Sequence, residues 1–359
     1  MSQFATKTKP PHTPKKSLYI MVRNKDVKLK LLRQVRGVVH DLIMLAHHTM
    51  LLTSLLILAW PSNNDVLGLA PSRLSHNKLH LITFDLDDTI FPIGPVVADA
   101  NEAQLARLKA FGYTNANNDE IIQASKTIRT ELREAGNVLS YTDLRKQSIK
   151  REIVRVTPNL QTHQVDESVV DDVFDSWLSM RHESADKNLY DNCVDALETI
   201  RQQHPDAVIG AITNGRGNPL CMPSVKTFFD FTVSGEDEHV FPQRKPDRGI
   251  YEAALDTFFN LRRGDSIIPE DTLTWIHVGD DLANDVGASA VCGAKAIWLC
   301  AEDDELEADL PSWSTATKEE LERRAKLNDS AKEYVSAKIS NLTELETAVM
   351  NILTSNHNE

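Results

Sequence analysis

Short apolar runs recur along the chain from about residue 79, and each has the length of one buried strand. Most are followed by a segment of helical length. The five runs are Leu79–Phe84, Ala207–Thr213, Phe229–Ser234, Leu273–Val278 and Ala294–Leu299. Strands that alternate with helices predict an α/β fold, in which helices cover both faces of a Rossmann-like, doubly wound parallel sheet.

A long segment without a strand pattern separates the first two runs. Ile121 and Ile128 keep a helical spacing there, as do Val170, Phe174 and Trp177 further on. We therefore predict an all-helical module inserted into the α/β core. The predicted boundaries are 77–96 and 201–359 for the core and 97–200 for the module.

Residues 301–335 are highly charged and show no regular pattern, whereas a compact pattern resumes over Ile339–Leu353. This predicts a surface insertion within the core.

The first 70 residues have a different character. Residues 1–37 are basic, and residues 38–60 are largely apolar, but only 49–60 run without a charge or a histidine. Those 12 residues fall short of the ~20 that span a bilayer. We predict that 1–70 is a targeting leader for an organelle (plastid or mitochondrion) or the secretory pathway. A signal anchor and a later start codon, which would leave the protein cytoplasmic, are the alternatives. Any membrane contact would have to involve residues 38–60.

Charge divides the chain in the same way. The 359 residues carry a net charge of -13, but residues 1–40 hold ten Lys and Arg against one acid, and the remainder holds 29 against 51. A body this acidic has no basic stripe for a nucleic-acid backbone, which excludes a nucleic-acid partner. An anionic substrate would need a few local cations or a metal.

Two acidic residues follow the first predicted strand. Asp85 and Asp87 are two apart in an extended segment, so their side chains would face the same pocket at the carboxyl end of the strand, where α/β sheets place ligands. Neighbouring carboxylates either raise one pKa or recruit a cation. An acidic turn that caps a helix is the alternative.

Three later motifs follow the other strands. Thr213 and Asn214 end the second strand, Lys245 follows the third, and Asp280, Asp281 and Asp285 follow the fourth. Three carboxylates after an apolar strand are typical of a site for a hard cation such as Mg²⁺. A helix N-cap, a solvated loop lysine and solvated surface acids are the respective alternatives. His277, inside the fourth strand, is predicted to be a core histidine and not a metal ligand.

Taken in this order, the motifs resemble those of the haloacid dehalogenase (HAD) superfamily, over residues 79 to about 300. The resemblance implies that Asp85 is the nucleophile that attacks phosphorus and that Asp87 is the general acid and base. It also implies that Thr213 and Asn214 bind the phosphoryl group and that Lys245 neutralises it.

The same resemblance implies a Mg²⁺ cofactor held by the carboxylates of Asp85 and Asp280 and by the backbone carbonyl of Asp87. Asp281 and Asp285 would then support the metal from outside its direct ligands. The helical insertion is placed like the C1-type cap of the superfamily, which closes over the site and selects the substrate.

Asp87 also favours one reaction. Dehalogenases of the superfamily lack this second aspartate because a halide leaves without a proton. The implied function is hydrolysis of a small phosphorylated metabolite through an aspartyl phosphate. The longer motif strings resemble bacterial members that act on FMN and on 5-amino-6-(5-phospho-D-ribitylamino)uracil. Sugar phosphates, N-acylneuraminate 9-phosphate and nucleotides remain alternatives, followed by a phosphomutase, a dehalogenase and a non-catalytic scaffold. The sequence leaves the oligomeric state open.

Four cations lie close together in the predicted cap, within one helical segment: Arg145, Lys146, Lys150 and Arg151. Each could contact the substrate or lie on a solvated helix face.

Overall fold

The computed structural model describes residues 78–263, 272–300 and 316–355, and the predicted leader lies outside them. A six-stranded sheet, parallel throughout, runs through the centre of this part in the order β3-β2-β1-β4-β5-β6. The strands are β1 Leu81–Phe84, β2 Val208–Thr213, β3 Phe231–Ser234, β4 Trp275–Gly279, β5 Lys295–Leu299 and β6 Val335–Ile339. The predicted α/β fold with a parallel sheet is confirmed.

Eight longer helices surround or extend from the sheet in the part that is described. They are α1 Ile93–Ala110, α2 Asn118–Glu134, α3 Tyr141–Val156, α4 Glu167–Lys187, α5 Cys193–Gln203, α6 Arg248–Leu261, α7 Lys318–Ala331 and α8 Leu345–Ser355. A π-helical turn, Leu282–Gly287, follows β4 and continues into the helical turn Ala288–Ala290. Short 3₁₀ turns occur at Thr162–Gln164, Pro219–Cys221, Lys332–Tyr334 and Leu342–Glu344. Within residues 78–263, 272–300 and 316–355, no helix is both long and apolar enough to cross a membrane.

The register of the sheet determines where the site forms. Phe84, the last residue of β1, pairs with Ala211 of β2 on one side and with Val278 of β4 on the other. The residues that follow these strands therefore emerge at the same edge. All four residues of β1 are buried, because it is a central strand covered on both faces.

Each face of the sheet has its own apolar core. Phe84 and Ile209 pack on one face with Leu197 of α5, and Trp275 packs on the other with Phe258 of α6. Helix α5 thus packs with the sheet, although the sequence boundary places most of it in the cap.

The inserted helices have a third core. Ile149 and Ile153 of α3 pack there with Val170 and Phe174 of α4, and Ala100 of α1 joins them. Four of the five apolar positions that predicted a helical module belong to this core, and the fifth, Ile128, is buried outside it.

The described part of residues 301–335 differs from the irregular insertion expected from sequence. It contains α7, which is followed by the edge strand β6. Only Ala331 of α7 is buried, and β6 alternates between exposed and partly buried positions until Ile339. With so few buried residues, neither element produces a strong apolar pattern.

Candidate active site

Three carboxylates meet at the carboxyl edge of the sheet. Asp85 follows β1, Asp280 follows β4, and Asp285 lies in the π-helical turn; oxygen atoms of all three lie within 4.8 Å of one another. Burial raises the pKa of Asp85 to about 7, and burial together with the charges of Asp285 and Asp85 raises the pKa of Asp280. Gly279 allows the close approach, because a side-chain carbon at that position would overlap the side chain of Asp285.

Lys245 is the cation at the centre of this cluster. Its Nζ atom lies 2.5 Å from Oδ1 of Asp85 and 2.7 Å from Oδ1 of Asp285, and its side chain is buried. Burial alone would lower the pKa of Lys245, but the two carboxylates outweigh it and raise the pKa. The lysine therefore stays charged and holds Asp85 in place.

Asn214 fixes the backbone that carries this lysine. Its Oδ1 accepts from the Lys245 N–H at 2.8 Å, and its Nδ2 donates to the Lys245 carbonyl at 3.1 Å. The amide predicted to bind phosphate thus holds the lysine loop. Thr213 is buried at the end of β2, and its hydroxyl accepts from the Gly215 N–H at 3.3 Å, which leaves the hydroxyl hydrogen for another acceptor.

His277 is a buried core histidine, as its position within β4 predicts. Its Nδ1 lies 2.8 Å from Oγ1 of Thr83, and its Nε2 lies 3.4 Å from Oδ1 of Asp285. Burial lowers its pKa, which keeps the ring neutral. The ring therefore orients Asp285 from within the sheet.

Asp281 has a different role from Asp285. Its Oδ1 accepts from the N–H groups of Ala283 (2.9 Å) and Asn284 (2.8 Å), at the start of the π-helical turn. It also forms an ion pair with Arg324 of α7. Asp281 thus supports the turn that carries Asp285, and it is not part of the carboxylate cluster.

Asp87 faces the cap. Its Oδ1 lies 2.5 Å from Nη2 of Arg181 in α4, and its side chain is about one-third exposed, at 32%. The other terminal nitrogen of Arg181, Nη1, is buried without a hydrogen-bond partner. Asp88 has the helix-capping role foreseen as the alternative for this motif, since its Oδ1 accepts from the Ile93 N–H at 2.9 Å.

A cavity of about 600 Å³ lies between this edge and the cap. Asp87 and Lys245 line its floor, Arg145 and Trp177 line the cap side, and Arg324 lies on the wall formed by α7. This volume suits a metabolite of the size of a sugar phosphate or a mononucleotide.

The cluster of four cations in α3 separates into two groups. Three of its members form ion pairs with exposed acids on neighbouring helices: Lys146 with Asp171, Lys150 with Glu167 and Arg151 with Glu131. Arg145 is the member that lines the cavity.

The carboxylate cluster suits a hard divalent cation. Its three donors are anionic oxygens, the ligand type that Mg²⁺ prefers. With all three ionised, Lys245 offsets only part of their charge, so a cation would relieve the repulsion among Asp85, Asp280 and Asp285. The family resemblance implied that Asp285 lies outside the direct ligands, whereas the structure brings its carboxylate into the cluster.

Comparison with known proteins finds similarity both in sequence and in fold. No family model matches the chain. The 5-amino-6-(5-phospho-D-ribitylamino)uracil phosphatase YigB of Escherichia coli is 22% identical over 249 residues, which cover 68% of this chain and 92% of that protein. The 2-haloacid dehalogenase of Pseudomonas syringae superposes with a TM-score of 0.53 at 20% identity, covering 76% of this chain and 99% of the other.

The chain shares the fold of this 2-haloacid dehalogenase, and the order of its motifs resembles that of the HAD superfamily. A looser likeness, with a TM-score of 0.43 at 14% identity, links it to the putative HAD hydrolase YfnB of Bacillus subtilis, which was crystallised bound to magnesium. That likeness covers 76% of this chain and 99% of the other.

Two arginines at this site were not predicted from sequence. Arg181 lies four residues after Trp177 and thus on the same face of α4. A charged residue on this otherwise apolar face was the signal that could have identified it. Arg324 lies within the segment predicted to be a surface insertion, and its sequence neighbours carry no comparable signal.

Proposed function

We propose that this HAD-superfamily hydrolase is a Mg²⁺-dependent phosphomonoesterase that acts through an aspartyl phosphate. The observation that carries the proposal is the buried contact between Asp85 and Lys245, with Asp280 and Asp285 close by. A buried carboxylate held by a lysine that itself lines the cavity is arranged as a nucleophile.

In the first step, an Asp85 oxygen forms a bond to phosphorus while the bond from phosphorus to the ester oxygen breaks. Asp87 gives its proton to that leaving oxygen, so the product is a neutral alcohol. Asp87 then takes a proton from water, the water oxygen attacks phosphorus, and the acyl phosphate bond breaks. Inorganic phosphate leaves and Asp85 is regenerated.

Bound at Asp85, Asp280 and Asp285, Mg²⁺ would reduce the repulsion between the nucleophile and the phosphate dianion. Lys245 contributes a fixed positive charge at the same place, and the Thr213 hydroxyl has a hydrogen to donate to a phosphoryl oxygen. These groups explain how an acidic protein could bind an anion.

The choice between phosphate and halide chemistry rests on Asp87. The Pseudomonas syringae protein of similar fold is a dehalogenase, whereas the Escherichia coli relative found by sequence is a phosphatase. A halide leaves without a proton, but an alkoxide leaving group needs one. Asp87 lines the cavity and can supply it, which favours the phosphatase.

The substrate proposed is a small phosphorylated metabolite. The name of the E. coli relative makes 5-amino-6-(5-phospho-D-ribitylamino)uracil a substrate to test, and FMN belongs beside it. Sugar phosphates, N-acylneuraminate 9-phosphate and nucleotides complete the panel. For residues 1–70 a cleaved targeting leader remains our proposal, which N-terminal sequencing of the native protein would test.

The test is phosphate release by the full chain from this panel and from p-nitrophenyl phosphate, with Mg²⁺ and with EDTA. Asp85→Asn should reduce release at least about a thousandfold, because it removes the nucleophile. Asp88→Asn is the matched control, since the Asn oxygen can still accept from the Ile93 N–H, and it should stay within about threefold of the wild type.

Equal loss in both variants, or substantial turnover in Asp85→Asn, would refute the assignment of the nucleophile. A need for a bisphosphate activator would indicate a phosphomutase. Failure of the protein to release phosphate from any of these esters would favour a scaffold.

A further inference from the structure

Of the seven Lys and Arg residues that line the cavity, four pair with a carboxylate within the described ranges, and Arg145, Arg216 and Arg323 do not. The pairs are Lys245 with Asp85, Arg181 with Asp87, Arg129 with Glu320 and Arg324 with Asp281. Arg145 forms no such pair within the described ranges, although it lines the same cavity. Its positive charge is therefore left without a counter-charge from the protein.

Neutral groups hold the Arg145 side chain in place. Its guanidinium carbon lies 3.9 Å from the centre of the Trp177 ring, in a cation–π contact. Nη1 donates to Oδ1 of Asn101 at 3.1 Å and to Oε1 of Gln104 at 3.2 Å, and Asn101 also accepts from the Trp177 indole at 3.1 Å. The arginine is thus fixed by stacking and by amides.

These contacts leave part of the guanidinium for a ligand. Both hydrogen bonds come from Nη1, so Nη2 and Nε remain as donors. Two neighbouring N–H groups of an arginine match the oxygens of a carboxylate or a phosphate in a bidentate contact. Arg145 is consequently arranged to bind an anion from the cavity.

The electrostatic environment favours the same ligand. Burial, and then the nearby charge of Arg181, lowers the pKa of Arg145 to about 9. Withdrawing a charged group from water without a counter-charge is costly, and an anion beside Arg145 would offset that cost.

We infer that Arg145 recognises a second anionic group on the substrate, at a subsite formed with Trp177, Asn101 and Gln104. This inference rests on the proposed function, and it narrows the substrate to a phosphomonoester that also carries a carboxylate or a second phosphate. Phosphorylated sugar acids and bisphosphates have such a group. FMN and the ribitylaminouracil phosphate carry no anion besides the phosphate that is removed.

The test measures inhibition of p-nitrophenyl phosphate hydrolysis by matched pairs of ligands, with the full chain and Mg²⁺. The pair 6-phosphogluconate and glucose 6-phosphate tests a carboxylate, and the pair fructose 1,6-bisphosphate and fructose 6-phosphate tests a phosphate. In at least one pair, we expect the member with the second anionic group to inhibit about 10- to 100-fold more tightly, as a charge-assisted hydrogen bond would provide.

Arg145→Gln should bring that ratio close to one, while inhibition by the member that lacks the second anion should stay within about threefold of its wild-type value. Arg151→Gln is the matched control, because it makes the same change on the same helix at an arginine paired with exposed Glu131. It should retain the wild-type ratio.

Equal inhibition constants within both pairs in the wild-type protein, or a ratio that survives Arg145→Gln, would overturn the inference. A ratio lost equally in Arg151→Gln would do the same. Absence of p-nitrophenyl phosphate turnover would instead count against the proposed function, so the two failures are distinguishable.

Discussion

The buried carboxylate of Asp85 makes the metal-free protein sensitive to pH. Its pKa is raised from 3.8 to about 7 in the folded protein, chiefly by burial. A carboxyl group whose pKa is raised by folding favours the folded state at low pH, and this contribution is lost as the pH rises from about 4 to about 7. At 1.36 kcal/mol for each unit, the loss is about 4 kcal/mol. We expect Asp85 to destabilise the protein near neutral pH when no metal is bound.

Mg²⁺ should reverse this effect, because a cation at Asp85, Asp280 and Asp285 favours their ionised forms. A ligand present at about 100 times its dissociation constant stabilises the folded state by about 2.7 kcal/mol. For a domain of this size, that corresponds to an increase in Tm of about 5–10 °C. The increase should be larger at pH 7.5 than at pH 5.

The assays are urea denaturation and thermal unfolding of the full chain at pH 5 and pH 7.5, each in EDTA and in Mg²⁺. Buried His277 has a lowered pKa and gives the opposite slope in this range, since only the unfolded chain takes up its proton. Asp85→Asn retains His277, so subtracting its pH dependence from that of the wild type removes the His277 contribution and leaves that of Asp85 together with its coupling to Asp280. Asp88→Asn controls for the loss of an acid near the site.

Two results would refute this reasoning. In the first, the wild-type protein in EDTA loses no more stability between pH 5 and pH 7.5 than Asp85→Asn does. The other is a Mg²⁺ stabilisation that persists in Asp85→Asn, which would place the cation elsewhere.

Two further substitutions test the supporting structure. Gly279→Ala should push Asp285 out of the cluster and weaken Mg²⁺ activation at least about tenfold, measured as the Mg²⁺ concentration for half-maximal turnover; unchanged activation would contradict the close approach. Thr317→Ala removes one half of the capping box of α7 and should cost about 1 kcal/mol in urea denaturation, whereas Thr317→Ser should cost little. Equal losses in these two variants would show that the hydroxyl is not what stabilises the helix.

The sequence could predict the carboxylate site because the order of the strands in the sheet determines where the residues after them lie. Asp85 and Asp280 each follow a buried strand, and neighbouring parallel strands bring the residues after them to the same edge. The strand pattern was therefore enough to bring two distant segments together. Asp285 joins the carboxylate cluster and Asp281 does not, and this difference depends on the π-helical turn, which no apolar periodicity reveals.

The walls of the cavity were harder to predict, because they depend on contacts between elements. Nothing in the local sequence of Arg145 distinguishes it from Lys146, and only the packing of α3 against α4 turns one inward and the other outward. Asn214 illustrates the same limit, since its role depends on a backbone segment that lies 31 positions away in the chain. Helix α7 has so little buried surface that its sequence resembles that of a loop.

Helix α7 gives the cap an additional attachment to the core. Glu320 lies 3.2 Å from Nη2 of Arg133 and 3.6 Å from Nη2 of Arg129 in α2, and Arg324 of the same helix pairs with Asp281 beside the carboxylate cluster. Any opening of the cap on this side must separate the pairs to α2, whose members are about one-third exposed and therefore screened by salt. Ionic strength should thus govern how readily substrate enters and product leaves, even for a substrate whose own binding is insensitive to salt.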